Sequence, residues 1–140
     1  MDRLLGRRIY LDANVFIYAF EDYPAYHDDC AAILDAVDGG QFEGVASELV
    51  FLEILPKPFL TDVALAERYV DTLESVEALF LVPVTRSIAL RAAVIRAETR
   101  SAAPDAIHLS TAIETGCDGF VTNDRSIRSP VLEVIRLDPR

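Results

Sequence analysis

The feature that most constrains the fold of this chain is the regular alternation of short apolar segments with longer segments of helical periodicity. The apolar segments lie at residues 8–12, 42–46, 78–82, 119–121 and 131–137. Their length and their separation by amphipathic segments are typical of strands in an α/β protein. Such alternation produces a mostly parallel sheet with helices on both faces. The sequence therefore predicts one α/β domain over residues 1–140 with a central, mostly parallel, five-stranded sheet.

Capping residues and helix breakers give expected helix boundaries. The predicted caps and helices are Asn14 for residues 15–20, Ser47 for a helix that runs to about residue 55, Thr61 for residues 62–75 and Thr85 for the next helix, with a further helix at residues 23–37 that ends at Gly39 and Gly40. Pro56 and Pro58 are expected to block continuation of the helix that Ser47 begins.

Residues 103–128 form the most informative segment. Pro104 suits the first position of a helix, and Gly116 suits the residue after its end. A short apolar strand follows at residues 119–121. Asp105 therefore lies at the start of a helix, and Asp124 lies in the turn that follows the strand.

Two of the acids directly follow predicted strands. Asp12 ends the first strand, and Asp124 comes shortly after the fourth. In open parallel sheets, residues at the carboxyl ends of strands face the ligand crevice. Glu48 and Glu53 lie on one helix, and the helix dipole is sufficient reason for Glu48 in its first turn. Glu53 lies near the other end among apolar neighbours, so it is the better functional candidate.

Asp12, Glu53, Asp105 and Asp124 make a set of hard oxygen ligands with no cluster of His or Cys beside them. Such a set suits Mg²⁺ or Mn²⁺ rather than zinc. The chemistry that needs this arrangement is metal-assisted hydrolysis of a phosphodiester, in which the metal activates water and neutralises phosphate charge. The four acids are therefore predicted to be catalytic and metal-binding.

Composition and charge limit the kind of nucleic-acid surface and the cellular compartment that are compatible with this chemistry. A net charge of −10 argues against a broad electrostatic surface for nucleic acid, although it is compatible with a nuclease whose acids surround a metal. Two cysteines without metal-type spacing, no signal peptide and no apolar segment of about 20 residues predict a cytoplasmic protein with no membrane association.

Three segments of the chain resemble the PIN-domain ribonucleases, and within them the VapC-like toxins of bacterial toxin–antitoxin pairs. IYLDANVFIYAF is similar to the opening strand with its acid, Asp12, and companion, Asn14. VASELVFLEIL is similar to the second motif, whose acid by position is Glu53. APDAIHLSTAIETGCDGFVTNDRSI is similar to the third and fourth motifs, with Asp105 and Asp124 as their acids.

This resemblance implies a three-layer α/β/α fold with the four acids around one or two Mg²⁺ or Mn²⁺ ions. It also implies cleavage of RNA, a homodimer and inhibition by a small antitoxin that covers the cleft. Thr122 and Asn123 match the polar residues that flank the last acid, so they are expected, with Asn14, to support the site.

The sequence allows two interpretations of several candidate residues. Thr122 and Asn123 either orient water and carboxylates or only shape the turn. Arg125 and Arg128 either contact phosphate or form a solvated surface, and Arg125 is the better substrate-binding candidate. His108, one turn after Asp105, is more often a hydrogen-bonded core residue than a catalytic one.

Three other functions compete with the toxin ribonuclease. One is an RNA-processing nuclease of the same family. Another is a non-catalytic binding or scaffold protein, which would be expected to lack one or more of the acids. The third is a phosphotransfer domain with Asp12 as nucleophile, as in haloacid-dehalogenase phosphatases or receiver domains. That site needs a second acid where this chain has Asn14, and a lysine at a strand end, whereas Lys57 lies between two prolines.

Overall fold

One five-stranded sheet forms the centre of the structure, a computed structural model that describes residues 2–137 and Pro139. The strands are β1 Arg8–Leu11, β2 Glu43–Ser47, β3 Leu79–Val82, β4 Gly119–Thr122 and β5 Glu133–Arg136. Their order in the sheet is β3-β2-β1-β4-β5, and every neighbouring pair is parallel. The predicted five-stranded α/β architecture is confirmed, and the sheet is entirely parallel.

Helices connect the first four strands and cover the sheet. Within the described residues they are α1 Ala13–Phe20, α2 His27–Asp38, α3 Leu49–Ile54, α4 Pro56–Thr61, α5 Val63–Ser75, α6 Arg86–Thr99 and α7 Ala103–Glu114, with a 3-10 turn at Asp2–Leu4 before β1. No helix in this part of the chain is both long enough and apolar enough to cross a bilayer.

Successive residues of a strand face opposite sides of the sheet, and each side of this sheet has its own apolar core. Ile9 and Leu11 of β1 belong to the core that α1, α2, α3 and α5 cover. Tyr10, between them, belongs to the core on the other side, with Leu109 and Ala112 of α7. The three-layer α/β/α arrangement expected from the resemblance follows from this alternation.

The first helix begins earlier than predicted, and its cap is Asp12 rather than Asn14. The Asp12 carboxylate accepts a hydrogen bond from the Ala13 backbone N–H at 2.8 Å, so α1 starts directly after β1. Asn14 lies inside the first turn, where its side chain can contact other groups. Both residue types cap helices well, and the end of the strand decides between them.

The second helix begins at His27, not at residue 23 as predicted. Tyr23 and Pro24 instead open a turn, in which the backbone N–H groups of Tyr26 and His27 both donate to the Tyr23 carbonyl oxygen, at 2.9 and 2.8 Å. Proline favours the second position of such a turn, because its φ is already fixed near the required value.

The helix that precedes Pro56 and Pro58 ends before them, as predicted, and Pro56 then begins a further helix, α4. Pro56 is at the start of α4, where its missing N–H has no intrahelical partner to lose. Thr61 is the last residue of α4, so its predicted role as a cap was wrong. Asp62 caps α5 instead, because its side chain accepts the Leu65 N–H at 3.2 Å.

Other predicted boundaries agree with the structure. Thr85 caps α6 by accepting the Ile88 N–H at 3.2 Å. The Ser47 hydroxyl accepts the Leu49 N–H at 3.1 Å, although the N-cap of α3 is the next residue, Glu48, rather than Ser47 as predicted. After α7, Gly116 has a φ of +70°, a left-handed conformation that favours glycine.

The sheet order creates one topological switch point. From β1 the chain builds outward through β2 to β3, and it then returns to the other side of β1 with β4 and β5. The carboxyl ends of β1 and β4 therefore lie side by side with connections that leave in opposite directions. Such a point is where open parallel sheets form a ligand crevice.

Candidate active site

Asp12 lies at the switch point as the first residue after β1. Its side chain is buried, with 8% exposed. Besides the Ala13 N–H on Oδ1, the carboxylate accepts the Thr122 hydroxyl at 2.7 Å and the Asn14 amide at 3.3 Å on Oδ2. These three donors fix both the position and the orientation of the carboxylate.

Thr122 joins the ends of β1 and β4. Its hydroxyl donates to Asp12 and accepts the Asp124 backbone N–H at 2.9 Å. Because the hydroxyl is fully buried and has a partner on each side, it orients the Asp12 carboxylate and shapes the turn at once. The two roles predicted as alternatives for Thr122 are performed by one group.

Asn14 and Asn123 connect α1 to the loop after β4. The Asn14 side-chain oxygen accepts the Asn123 backbone N–H at 3.2 Å, and its amide points to Asp12. The Asn123 amide donates to the Tyr18 hydroxyl at 2.9 Å. Both asparagines therefore hold the loop that carries Asp124 against the start of α1.

Asp124 follows β4 by two residues. Its Oδ1 accepts the backbone N–H of Ser126 at 2.8 Å and the Ser126 hydroxyl at 2.7 Å, which closes a tight side-chain turn. Only one carboxylate oxygen is used in this turn, so the other remains available to a ligand.

Asp105 approaches the same place from the first turn of α7. Burial raises the pKa of its carboxyl above the ordinary value, and the negative charges of Asp124 and Asp12 raise it further. Thr122 contacts both Asp12 and Asp124, and His108, one turn after Asp105, lies 3.7 Å from Asp12, so the three aspartates lie in one region of the structure.

Glu53 extends from α3 toward α7. Its Oε1 lies 2.5 Å from Nε2 of His108, and the same nitrogen is 3.7 Å from Oδ1 of Asp12. The imidazole is 1% exposed, whereas 27% of the Glu53 side chain is exposed. The Glu53 carboxylate therefore lies at the edge of the acidic cluster, with His108 between it and Asp12.

His108 is positioned by Tyr10 on its other side. The Tyr10 hydroxyl lies 2.5 Å from His108 Nδ1, and it accepts the Ser47 backbone N–H at 3.0 Å. Burial lowers the pKa of His108, but the hydrogen bond to Glu53 and the charge of Asp12 outweigh burial and leave this pKa raised.

Two acids of the cluster have raised pKa values. Burial raises the pKa of Asp12 above its ordinary value, although nearby His108 and the bond from Thr122 oppose that change. Asp105 has a raised pKa for related reasons. A cation in the cluster would relieve this repulsion, so the electrostatics fit a positively charged ligand.

The donor set fits a hydrated Mg²⁺ or Mn²⁺ better than a metal enclosed by protein ligands. Across the described residues, no three His, Cys, Asp or Glu side chains are arranged to hold one ion by themselves. Mg²⁺ keeps several waters and uses only one or two carboxylates directly, so it does not require such a cage. Asp12, Asp105 and Asp124 would supply those carboxylates, with Glu53 beside them.

A basic cavity of about 410 Å³ adjoins the acidic cluster beyond Asn123. Three arginines, at positions 125, 128 and 136, line it. Arg136 has a structural role, because its guanidinium donates to the backbone carbonyl oxygens of Asp124 and Ile127. Arg125 and Arg128 are exposed and form no hydrogen bond or ion pair with other described residues.

The structure adds two residues to the site that the sequence did not place there. Tyr10 was interpreted as a core aromatic and His108 as a core histidine. Both are buried, but their polar atoms form a chain that ends on Glu53. The spacing of His108 three residues after Asp105 was a usable signal, since such residues share a helix face. Tyr10 carried no comparable signal.

A family comparison covers most of the chain: residues 9–130 match the PIN domain family. A comparison with curated proteins found no match. The matched range contains all four carboxylates and the residues that hold them in place.

Solved structures with the same fold include several toxin proteins. VapBC2 from Rickettsia felis, bound to a DNA fragment from its promoter, has a TM-score of 0.74 at 19% identity, over 94% of this chain and 99% of that chain. A toxin–antitoxin complex from Klebsiella pneumoniae has a TM-score of 0.71 at 19% identity, over 91% and 95%. VapC20 from Mycobacterium tuberculosis, a toxin that cleaves the sarcin–ricin loop, has a TM-score of 0.62 at 14% identity, over 80% and 86%.

Proposed function

The chain belongs to the PIN domain family, and from this premise we propose that it is a Mg²⁺- or Mn²⁺-dependent endoribonuclease that acts as the toxin of a toxin–antitoxin pair. The observation that carries the proposal is the convergence of Asp12, Asp105 and Asp124 at the switch point of a parallel sheet, with Glu53 at its edge. Acids with raised pKa values in a crevice are expected where a cation and a phosphate bind.

The metal, when bound, would lower the pKa of a water and neutralise charge on the scissile phosphate. The protein's own contribution is to hold the carboxylates in place before substrate arrives. Asp12 is fixed by its three donors, and Thr122 and Asn14 keep the loop of Asp124 close to it. Preorganised groups of this kind do not have to rearrange when the reaction occurs.

The basic cavity is the proposed contact for the RNA backbone. Arg125 and Arg128, which form no ion pair with other described residues, carry positive charge beside the acids in a protein whose net charge is −10. Arginine binds phosphate oxygens through two parallel hydrogen bonds. A phosphate next to the scissile one would therefore find its counter-charge there.

The salt dependence of RNA binding tests this contact. In Arg125→Ala, KM for RNA should rise while kcat changes little, and the slope of log affinity against log salt should fall by about 0.7 per lost contact with single-stranded RNA. Arg68→Ala on α5 is the control. The Arg68 guanidinium is also exposed and forms no hydrogen bond or ion pair with described residues, but it does not line the cavity. An unchanged slope in Arg125→Ala would place the RNA elsewhere.

An antitoxin is the proposed protein partner. One of the similar structures is a toxin–antitoxin complex, and another is named as a toxin that cleaves the sarcin–ricin loop. A short reading frame next to this gene, whose product blocks cleavage, is the expected finding. We also propose a cytoplasmic homodimer, and light scattering of the purified protein should give twice the 15.5 kDa chain mass.

The phosphotransfer alternative finds no support in the site. Lys57, the lysine that such a domain would need beside Asp12, forms an ion pair with Glu21 at 2.7 Å. A scaffold role is not favoured either, because all four acids are present.

Cleavage of a mixed RNA pool is the test of the proposed function. The wild-type protein should cleave with Mg²⁺ or Mn²⁺ and not with EDTA, and Asp124→Asn should be inactive. Asparagine keeps the Oδ1 that accepts from Ser126, so the turn should survive. Asp71→Asn, which removes an exposed acid of α5, should cleave normally. Cleavage by Asp124→Asn at the wild-type rate would contradict the proposal.

A further inference from the structure

A chain of buried hydrogen bonds runs from the end of β2 to the edge of the acidic cluster. It links the Ser47 backbone N–H to the Tyr10 hydroxyl, the hydroxyl to His108 Nδ1, and His108 Nε2 to the Glu53 carboxylate, at 3.0, 2.5 and 2.5 Å. Tyr10 is 0% exposed and His108 is 1% exposed. Water therefore does not compete for the hydroxyl or the imidazole.

The direction of each hydrogen bond follows from what its atoms can do. The Ser47 N–H can only donate, so the Tyr10 oxygen accepts it. The hydrogen of the Tyr10 hydroxyl is fully buried and needs an acceptor, and among the described residues His108 Nδ1 is the partner within reach, so the hydroxyl donates there. A neutral imidazole that accepts at Nδ1 must carry its hydrogen on Nε2. That hydrogen points at Glu53, which as a carboxylate can only accept.

Aromatic packing fixes the same arrangement. The Tyr10 ring is stacked on Phe120 of β4 with ring centroids 4.9 Å apart, and it meets the His108 ring edge-on at 5.6 Å. Tyr10 therefore cannot turn its hydroxyl away from His108 without losing two ring contacts.

We propose that His108 is a positioning residue for Glu53, held by Tyr10 in the tautomer with hydrogen on Nε2. The inference rests on the proposed function for its catalytic meaning, but the hydrogen-bond chain belongs to the protein without metal or RNA. Glu53 lies on the short helix α3 with a partly exposed side chain, so without His108 its carboxylate would sample several rotamers. With His108 in place, the carboxylate is held on the imidazole nitrogen that also lies 3.7 Å from Asp12 Oδ1.

Nitrogen-15 NMR of histidine-labelled protein without metal reads the tautomer directly. In the neutral form of its imidazole, His108 should show a protonated Nε2 and a bare Nδ1. His27 is an internal reference with the opposite tautomer. Its Nδ1 lies 2.9 Å from the Tyr18 carbonyl oxygen, which can only accept, so Nδ1 must carry the hydrogen. In Tyr10→Phe, the preference of His108 should weaken. A hydrogen on Nδ1 of His108 in the wild type would overturn the proposal.

Two substitutions of His108 separate positioning from packing. The amide of glutamine reaches about as far as Nε2, so His108→Gln can still donate to Glu53. Asparagine reaches only about as far as Nδ1, so His108→Asn cannot. Mn²⁺ affinity of the metal-free protein, measured by calorimetry, should fall about 10–100-fold in His108→Asn, as for other groups that orient metal-binding carboxylates. His108→Gln should remain within about threefold of wild type.

Unfolding curves and RNA cleavage complete the test. If His108 only fills the core, the two variants should lose Mn²⁺ affinity equally and in proportion to their loss of Tm, which would overturn the proposal. His27→Gln and Tyr26→Phe are controls for the substitutions themselves. If wild type binds Mn²⁺ but cleaves no RNA, the proposed function fails, while the NMR and Mn²⁺ results still decide the role of His108.

Discussion

At the scale of single residues, the acids show how burial and like charge act together. Asp105 lies in the first turn of α7, where the helix dipole favours a carboxylate. Its pKa is nevertheless raised, first by burial and then by Asp124 and Asp12. The position therefore carries a cost in the metal-free protein, which is expected where function rather than stability determines the residue.

Asp105→Asn should make the metal-free protein more stable and inactive. A carboxyl with a raised folded pKa destabilises the folded state above that pKa, and the penalty disappears as the pH falls below the ordinary value of 3.8. The variant should therefore have a higher Tm than wild type at pH 7 and the same Tm near pH 3. Cleavage should fall about 100-fold or more, since a lost ligand costs more than a lost outer partner.

Thermal unfolding without metal at both pH values checks this prediction. A lower Tm for Asp105→Asn at pH 7 would mean that the carboxylate supports the fold instead of straining it.

The cysteines should be inert in the folded protein. Burial raises the pKa of the Cys30 thiol to about 12, and the side chain is fully inaccessible. Because the thiolate is the reactive form, iodoacetamide at pH 8 should label Cys30 only after unfolding. Mass spectrometry of labelled peptides, with and without urea, measures this. Rapid labelling of Cys30 in the native protein would contradict the packing of α2.

At the scale of secondary-structure elements, α7 carries two side chains of the site on one face. Asp105 and His108 are three residues apart, so both lie on the face toward the acidic cluster. Leu109 and Ala112 lie on the face that packs against the sheet. One helix thereby ties the geometry of the site to the packing of the core.

The start of β4 has no room for a side chain. A Cβ at Gly119 would lie 3.1 Å from Ile135 Cδ1 and 3.2 Å from Ile9 Cδ1, on the two neighbouring strands. Gly119→Val should therefore destabilise the protein by about 1–3 kcal/mol through overpacking. Gly39→Val, at the exposed end of α2, is the matched control and should change stability by about 0.5 kcal/mol or less.

Urea unfolding of these two glycine variants gives the comparison. Equal stability of Gly119→Val and Gly39→Val would show that the side chains of Ile9 and Ile135 can shift to admit a larger residue.

At the scale of the whole molecule, charge is distributed unevenly. The protein has a net charge of −10. Several arginines form ion pairs with Glu133, Glu43 and Glu114. Among the residues that the structure describes, no arginine or lysine forms an ion pair with the carboxylates of the site. Arg125 and Arg128 likewise form no ion pair with described residues, so basic groups lie beside the acidic cluster.

Mg²⁺ should therefore stabilise the whole fold. At a concentration 100 times its Kd, a ligand that binds only the folded state adds about 2.7 kcal/mol to the free energy of unfolding. The Tm of the wild type should rise with Mg²⁺ and return to its initial value with EDTA. Asp105→Asn should show little of this rise. The same response in both proteins would indicate that Mg²⁺ binds outside the acidic cluster.

The sequence by itself determined the elements and the acids. The apolar segments became the five strands, because short apolar runs bounded by turn residues suit strands that are buried on both faces of a parallel sheet. The position of Asp12 and Asp124 after strands placed them at the carboxyl edge, since parallel strands all end there. Local errors, such as the caps at Asn14 and Thr61, arose where neighbouring residues cap equally well.

Only the tertiary structure decided which strands are neighbours and which buried polar groups meet. The placement of β4 beside β1 makes the switch point, and it depends on pairing between segments about 110 residues apart. Tyr10 and His108 are also far apart in the chain, by 98 residues. From its local sequence, each would be interpreted as an ordinary core residue. Local pattern reports burial, but the partner of a buried hydrogen-bonding group is fixed only when the layers pack together.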